Sequence, residues 1–185
     1  MRKLVHWVHQ SVDGFIEGPN GEFDWPTMGP DLSAYSFELT DRADAFLYGG
    51  KVWGLMSWYW PRVEQISQDP HDLRFAPIWA RTPKIVISRT LETAEYGARV
   101  IGRDLAAEIA ELKAQPGGDL LLTGGSGAAA ALTELGLVDE YQVVVHPVVL
   151  GGGTPVFPGK DRLDLRLTGT RGFDGRSVLL RYERA

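Results

Sequence analysis

The 185-residue chain contains no cysteine, which excludes disulfide bonds, thiolate metal sites and cysteine nucleophiles. It also lacks a long apolar run free of helix breakers. The longest uncharged stretch, residues 141–159, holds three prolines and four glycines and cannot form a membrane-spanning helix. The N-terminal segment is too polar for a signal peptide, so we expect a cytoplasmic protein.

Positive charge is scarce as well. The chain has 19 Lys and Arg against 24 Asp and Glu, which gives a formal net charge of −5. That balance argues against the extended basic surface by which proteins bind nucleic acids or anionic membranes, so we expect neither partner. An anionic ligand must then be bound by local features of the fold, such as a helix N-terminus.

One segment has the pattern of an anion site. Residues 119–132 read Asp-Leu-Leu-Leu-Thr-Gly-Gly-Ser-Gly-Ala-Ala-Ala-Ala-Leu, an apolar strand followed by a glycine turn and a helix. The turn, Gly124, Gly125, Ser126 and Gly127, would let a phosphate approach unpaired N–H groups of the helix start. The alternative is a turn whose glycines only let strand and helix pack. A standard Rossmann site is disfavoured, because the acidic residues that follow precede the next strand.

The length of 185 residues predicts a single domain over residues 1–185 with a substantial core. Helices are predicted by period and capping signals at 31–43, 70–80, 104–115 and 127–135. Strands are predicted at 3–12, 45–48, 84–88, 99–101, 120–123, 140–146, 164–170 and 177–182. Their alternation indicates an α/β fold with a mainly parallel central sheet and helices on both faces. The turn at 171–176 predicts a C-terminal antiparallel hairpin.

Two further strands end in residues that suit an anion. Gly49, Gly50 and Lys51 follow one strand, and Ser88 and Arg89 follow the next. Ligands of open α/β sheets bind outside the carboxyl ends of the strands, and arginine can bind phosphate through two parallel hydrogen bonds. Each feature alone is also compatible with an ordinary turn or a surface arginine. Together with the glycine turn they predict one extended ligand that carries several phosphates.

Two carboxylates are candidates for proton transfer. Asp13 leaves the first strand three residues before Ile16, and Asp31 follows a proline at a helix start. The alternatives are purely structural: Asp13 belongs to an ordinary Asp-Gly turn, and Asp31 caps its helix.

In this order, these elements resemble the dihydrofolate reductase fold. The chain most resembles the family of the C-terminal reductase domain of the bifunctional riboflavin-biosynthesis deaminase-reductase, and the resemblance covers nearly all of it. The most specific motifs are Gly-Leu-Val-Asp-Glu at 136–140 and Pro-Val-Val-Leu-Gly-Gly-Gly at 147–153. The others are Ser-Val-Asp-Gly at 11–14, Gly-Gly-Lys-Val at 49–52, Ser-Arg at 88–89 and Gly-Gly-Ser-Gly at 124–127.

The resemblance implies an NADPH-dependent reductase that transfers a hydride to a small pterin- or pyrimidine-like heterocycle. It implies cofactor contacts from Gly49, Gly50, Lys51, Ser88, Arg89, Gly124, Gly125, Ser126, Gly127 and Ile16. It also implies that the proton comes from Asp31, which matches the substrate-binding carboxylate of dihydrofolate reductase, or from Asp13.

Two departures from the family pattern leave alternatives open. Gly50 stands where the family usually has a phosphate-binding arginine, and Val52 stands where it has a threonine. Both changes weaken the expected phosphate contacts and bear on the choice between NADPH and NADH. The missing arginine leaves open a ligand-binding protein that has lost catalysis. A flavin-dependent enzyme is the second alternative, because aromatic side chains near the pocket are compatible with an isoalloxazine ring.

The histidines, the aromatic cluster and the apolar segment near the C-terminus give less specific indications of function. His6 and His9 lie three apart on a strand and should face opposite sides, whereas His71 and His146 are isolated in the sequence, so no metal site is expected. The aromatic cluster at residues 53–60 is either core or a ligand-binding wall. The apolar, glycine-rich segment 147–158 suggests an interface, and we expect a homodimer.

Overall fold

Strands and helices alternate in the computed structural model, which describes residues 1–159 and 161–185. The strands are β1 (Leu4–Ser11), β2 (Phe15–Glu17), β3 (Ala43–Gly49), β4 (Lys84–Ile87), β5 (Arg99–Ile101), β6 (Asp119–Leu122), β7 (Glu140–His146), β8 (Thr154–Pro155), β9 (Leu165–Phe173) and β10 (Ser177–Arg184). The helices are α1 (Pro30–Arg42), α2 (Gly50–Tyr59), α3 (Val63–Ile66), α4 (Pro70–Arg81), α5 (Leu105–Ala114) and α6 (Ser126–Glu134).

Eight strands form the central sheet in the order β5-β4-β3-β6-β1-β7-β10-β9. All neighbours from β5 to β7 are parallel, whereas β10 runs antiparallel to both β7 and β9. The predicted mainly parallel sheet with a C-terminal antiparallel hairpin is therefore confirmed. The two remaining strands, β2 and β8, pair with each other outside this sheet.

Helices cover both faces of the sheet, and side chains of successive strand residues point to opposite faces. On one face, Val5 and Leu121 belong to a core shared with α1, α2 and α4. On the other, Leu4 and Leu120 belong to a core shared with α5 and α6. Burial on both faces explains why the strands read as continuous apolar runs instead of alternating patterns.

The predicted elements agree with the structure apart from their ends. The strands Arg99–Ile101 and Glu140–His146 have the predicted bounds, and α4 (Pro70–Arg81) extends one residue beyond its prediction. The short strands β2 and β8 were not predicted. Each has only two or three residues beside glycine-rich chain, so neither presents a readable period. Within residues 1–159 and 161–185, no helix combines the length and hydropathy needed to cross a bilayer.

Carboxylates cap three of the longer helices. Asp69 accepts a first-turn N–H of α4 at 2.7 Å, and Asp104, the predicted cap, accepts one of α5 at 3.2 Å. Asp174, from the β9–β10 turn, accepts two N–H groups at the start of α1 at 2.8 and 3.1 Å. By contrast, α2 and α6 begin after Gly49 and Gly125, and neither N-cap residue has a side chain to supply a hydrogen bond.

Candidate functional site

A crevice opens beside β1 at the carboxyl end of the sheet. The pairing of β1 with β6 ends where His6 lies opposite Leu122. Its pairing with β7 continues to Ser11 opposite His146. Beyond His6, β1 and β6 therefore diverge, at the kind of position where open α/β sheets bind their ligands.

A cavity of about 360 Å³ occupies this crevice. At one end it is lined by the glycine turn, through Thr123, Gly124, Gly125 and Ser126. The remaining wall is mainly apolar and aromatic, and its larger side chains include Trp7, Met28, Leu39, Met56, Trp60 and Phe75. The cavity thus joins a backbone-rich end, suited to an anion, with an apolar end, suited to a flat ring.

Two glycines pack back to back beneath the first end. The N–H of Gly49 donates to the carbonyl of Gly124 at 3.0 Å. Gly125 has a φ of +100°, and a Cβ built there would lie 2.9 Å from both N and Cα of Gly49. No side chain larger than hydrogen fits at Gly125 without displacing this backbone. The contact sets the N-termini of α2 and α6 side by side.

Gly127, in the first turn of α6, has a different environment. A Cβ built at Gly127 meets no atom within 4 Å, whereas one at Gly124 would lie 2.7 Å from Val52. Gly124 is thus required by packing, and Gly127 leaves open space beside the helix start. Because the N-cap of α6 supplies no side-chain hydrogen bond, its first N–H groups are suited to an anion.

The predicted residues of the two neighbouring strand ends lie close together. Ser88 is adjacent to Gly50, since a Cβ on Gly50 would be 3.3 Å from its hydroxyl. Lys51 lies 3.5 Å from Glu17, a cavity residue that the sequence did not single out. Arg89 is exposed and makes no ion pair within the described parts of the chain.

Residues after β1 divide between cavity and loop. Ile16 lines the cavity, as does its neighbour Glu17. Asp13 lies outside it and accepts the backbone N–H groups of Leu150 and Gly151 at 3.1 and 2.8 Å. The Ser11 hydroxyl, and then these N–H groups, lower the pKa of Asp13, which is therefore ionised near neutral pH. In this structure Asp13 joins the 147–153 motif to the end of β1.

Asp31 is the second residue of α1 and does not itself occupy the cap position, which belongs to Gly29. Its carboxylate lies 3.4 Å from the N–H of Asp174, while Asp174 accepts the N–H of Asp31. Asp31 is exposed at this contact and is not among the residues that line the cavity.

A histidine pair at the cavity was missed from the sequence. Nδ1 of His9 and Nε2 of His146 are 2.8 Å apart, in hydrogen-bonding contact between β1 and β7. His9 lines the cavity, and so does His71, whose Nδ1 contacts the Ser33 hydroxyl at 2.8 Å. The expectation that His146 is isolated is wrong, because strand pairing brings together residues 137 positions apart.

Both rings of the pair are neutral at physiological pH. Burial, then the neighbouring His146 and His71, lower the pKa of His9 to about 3. Burial, then the charge of Arg176, lower the pKa of His146 to about 4. Among residues 1–159 and 161–185, no group of three or more His, Asp or Glu side chains is arranged to hold a metal ion.

The aromatic cluster at residues 53–60 divides between two roles. Trp53 is buried and stacks on Trp79 in the core, with ring centroids 6.1 Å apart. Trp60 belongs to the cavity wall and packs on Phe75, whereas Trp58 is mostly exposed. Helical spacing alone could not separate these roles, because each depends on the element that packs against the helix.

Comparison with known proteins gives a consistent result. The family model described as RibD C-terminal domain matches residues 2–179. The uncharacterized protein YyaP of Bacillus subtilis (strain 168) is 36% identical over 185 residues, which cover 98% of this chain and 94% of YyaP.

Solved structures share the fold. A protein from Shewanella sp. PV-4 superposes with a TM-score of 0.76 at 21% identity, covering 100% of this chain and 99% of the other. Dihydrofolate reductase from Enterococcus faecalis, in complex with NADP(H), superposes with a TM-score of 0.66 at 17% identity, covering 98% and 96%. The fold is therefore that of dihydrofolate reductase.

The two glycines of the α6 start should respond differently to substitution. We expect Gly125→Val to lower the free energy of unfolding by at least about 2 kcal/mol, because a β-branched residue would be strained at positive φ and would overlap Gly49. Gly127→Val is the matched control and should change it by less than about 0.5 kcal/mol. Urea denaturation measures both. Equal losses would contradict the assigned contact.

Proposed function

Because the chain belongs to the RibD C-terminal domain family, we propose that it is an NADPH-dependent reductase. The proposed reaction transfers a hydride to a carbon of a small pterin- or pyrimidine-like heterocycle. When bound, NADPH would supply the hydride; the protein orients both ligands and excludes water from the cavity.

The observation that carries this proposal is the pair of helices that begin beside the cavity without a side-chain cap. Carboxylates occupy the N-termini of α1, α4 and α5. A carboxylate at α2 or α6 would repel a phosphate, and neither helix has an acidic residue in its first turn. Two helix N-termini in contact through Gly49 and Gly125 reinforce each other's attraction for an anion.

The surrounding residues fit a dinucleotide. Open space at Gly127 leaves room for a group against the α6 start, as a pyrophosphate requires. We assign the pyrophosphate to Gly124, Gly125, Ser126 and Gly127. The fold of the Enterococcus faecalis enzyme, which was solved with NADP(H), supports this choice of cofactor.

The remaining predicted residues extend the same site in two directions. Gly49, Gly50, Lys51, Ser88 and Arg89 would serve the adenosine side, where the exposed guanidinium is the strongest phosphate donor. Ile16, on the cavity wall, would lie on the nicotinamide side. Gly50 offers no side chain in place of the family arginine, so Arg89 carries more of the phosphate recognition.

Arg89→Ala should weaken NADPH more than NADH. A charge-assisted hydrogen bond to the extra phosphate contributes about 1.5–3 kcal/mol, so the expected loss for NADPH is roughly 10- to 150-fold. Titration with both cofactors measures the ratio. Arg166→Ala, on β9 at the opposite edge of the sheet, is the control and should change neither affinity. Equal losses for NADPH and NADH would show that Arg89 does not read that phosphate.

Turnover separates the proposal from its alternatives. Oxidation of NADPH with a panel of heterocyclic acceptors would distinguish a reductase from a protein that only binds the cofactor. A yellow purified protein with a flavin absorption spectrum would instead indicate a flavin-dependent enzyme.

Two substitutions test the source of the proton. Asn has nearly the same size as Asp, so Asp31→Asn should fold normally and still bind NADPH. Asp13→Asn keeps only one of the two acceptor oxygens that Leu150 and Gly151 use, so a thermal melt first establishes that this variant is folded. The carboxylate that relays the proton should lose about 10²–10⁴-fold in turnover on amidation, the scale of general acid–base catalysis, and the other should be unchanged. Steady-state kinetics of both variants decides between them. Normal turnover in both would contradict both assignments.

We also propose a homodimer. Val149 and Phe157, in the 147–158 segment, are 70% and 43% exposed, and β9 leaves one edge of the sheet uncovered in the described chain. Exposed apolar segments of this kind usually mark an interface. Light scattering at micromolar concentration should return twice the chain mass of 20.4 kDa. A mass near that of one chain would refute the dimer.

A further inference from the structure

The apolar end of the cavity carries no cation that a substrate could meet. Among the described residues that line it, none is a lysine or arginine, and Glu17 is the only aspartate or glutamate. Glu17 already accepts a hydrogen bond from Thr154 at 2.6 Å and lies 3.5 Å from Lys51. Its charge is therefore compensated at the rim of the cavity, and none of the lining residues can neutralise a buried phosphate or carboxylate.

The wall itself suits a flat ring. Trp7, Met28, Leu39, Met56, Trp60 and Phe75 surround the space with aromatic faces and flexible thioethers. Such side chains bind a planar ligand mainly through its faces, and the indole N–H of Trp60 already donates to the sulfur of Met56 at 3.3 Å. Burial of an anion against them would cost far more than burial of a neutral ring.

The histidine pair supplies the polar contact. In a neutral pair, one of Nδ1 of His9 and Nε2 of His146 donates and the other accepts. Nε2 of His9 makes no hydrogen bond within residues 1–159 and 161–185, and its residue lines the cavity. If His146 donates to His9, Nε2 is a donor; if His9 donates to His146, Nε2 is an acceptor. The two neutral states of the pair differ in which nitrogen of each ring carries its proton, and they let His9 meet either kind of ring atom.

We propose that this end of the cavity selects an uncharged, flat heteroaromatic ring without phosphate or carboxylate groups, and that His9, supported by His146, hydrogen-bonds its polar edge. The low pKa of both rings agrees with this role, because histidines that stay neutral attract no anion. Arg176, which acts on His146 from the β9–β10 turn, is not among the lining residues. The inference rests on the proposed function only for the position of the cofactor at the adjoining glycine turn.

Calorimetric titration with ring probes tests the selection without need of turnover. The probes are 2-quinolinone, its 4-carboxylate and the methyl ester of that carboxylate, which is uncharged at the same ring position and one methyl group larger. We expect saturable binding of 2-quinolinone and the ester, and at least about tenfold weaker binding of the carboxylate. Carboxylate binding as tight as the ester, or no saturable binding of either neutral probe, would overturn the proposal.

Variants of His9 test the polar contact. We expect His9→Phe to lower the affinity for 2-quinolinone about five- to tenfold. The affinity should then equal that for naphthalene, a ring of similar size without a polar edge. His9→Gln keeps a donor and an acceptor and should restore most of the affinity. Thermal melts establish that both variants are folded. Affinity for 2-quinolinone unchanged in His9→Phe would remove the histidine from the site.

A gain of function keeps the test independent of any effect on folding. Leu55 lines the cavity but is 59% exposed on α2, so Leu55→Arg should fold and place a cation at the rim. We expect it to raise the ratio of carboxylate affinity to ester affinity about fivefold, a ratio that cancels any general effect of the substitution on ring binding. An unchanged ratio would contradict the charge argument. NADPH binding is measured separately. If the unsubstituted protein binds the neutral ring probes but not NADPH, the proposed reductase function is refuted and the ring selection stands.

Discussion

The contact between Gly49 and Gly125 determines the rest of the site. Gly49 ends β3 and Gly125 ends the glycine turn, each directly before a helix, and the two backbones approach so closely that neither position accommodates a side chain without displacement. This contact brings the starts of α2 and α6 to the mouth of one cavity, although the two helices are more than sixty residues apart in the chain. It also explains why the N-caps of these helices supply no hydrogen bond of their own: the residue that could cap them must be glycine.

β1 connects this end of the site to the other. Its early residues pair with β6 and hold the strand that leads into the glycine turn. Its later residues pair only with β7, which places His9 beside His146 and leaves the opposite edge to the cavity. Two family motifs fix the strand at its ends. Asp139 accepts the N–H of Leu4 at 2.7 Å at its start, and Asp13 binds the 147–153 loop after its end.

The sequence alone was sufficient to predict the features that depend on residues close together in the chain. The run Asp119–Leu122 before four turn residues identifies a buried strand, and Asp104 three residues before the N–H that it accepts identifies a cap. What it could not provide are contacts between distant segments. The cap of α1 comes from Asp174, 143 positions from Asp31, and only the pairing of β1 with β7 brings His146 within 2.8 Å of the cavity residue His9. No local period or spacing encodes these partners.

Backbone groups and side chains contribute differently to the electrostatics of the two ends of the cavity. At the glycine turn, positive potential comes from peptide dipoles, which stay fixed and need no counter-ion when the ligand is absent. A lysine or arginine in the apolar end would need a buried partner or would lose its charge. Neutral histidines avoid that cost and still offer a donor or an acceptor. Under the proposed function, an acidic protein with a net charge of −5 would thus hold a polyanion at one end of a cavity while its other end favours an uncharged ring.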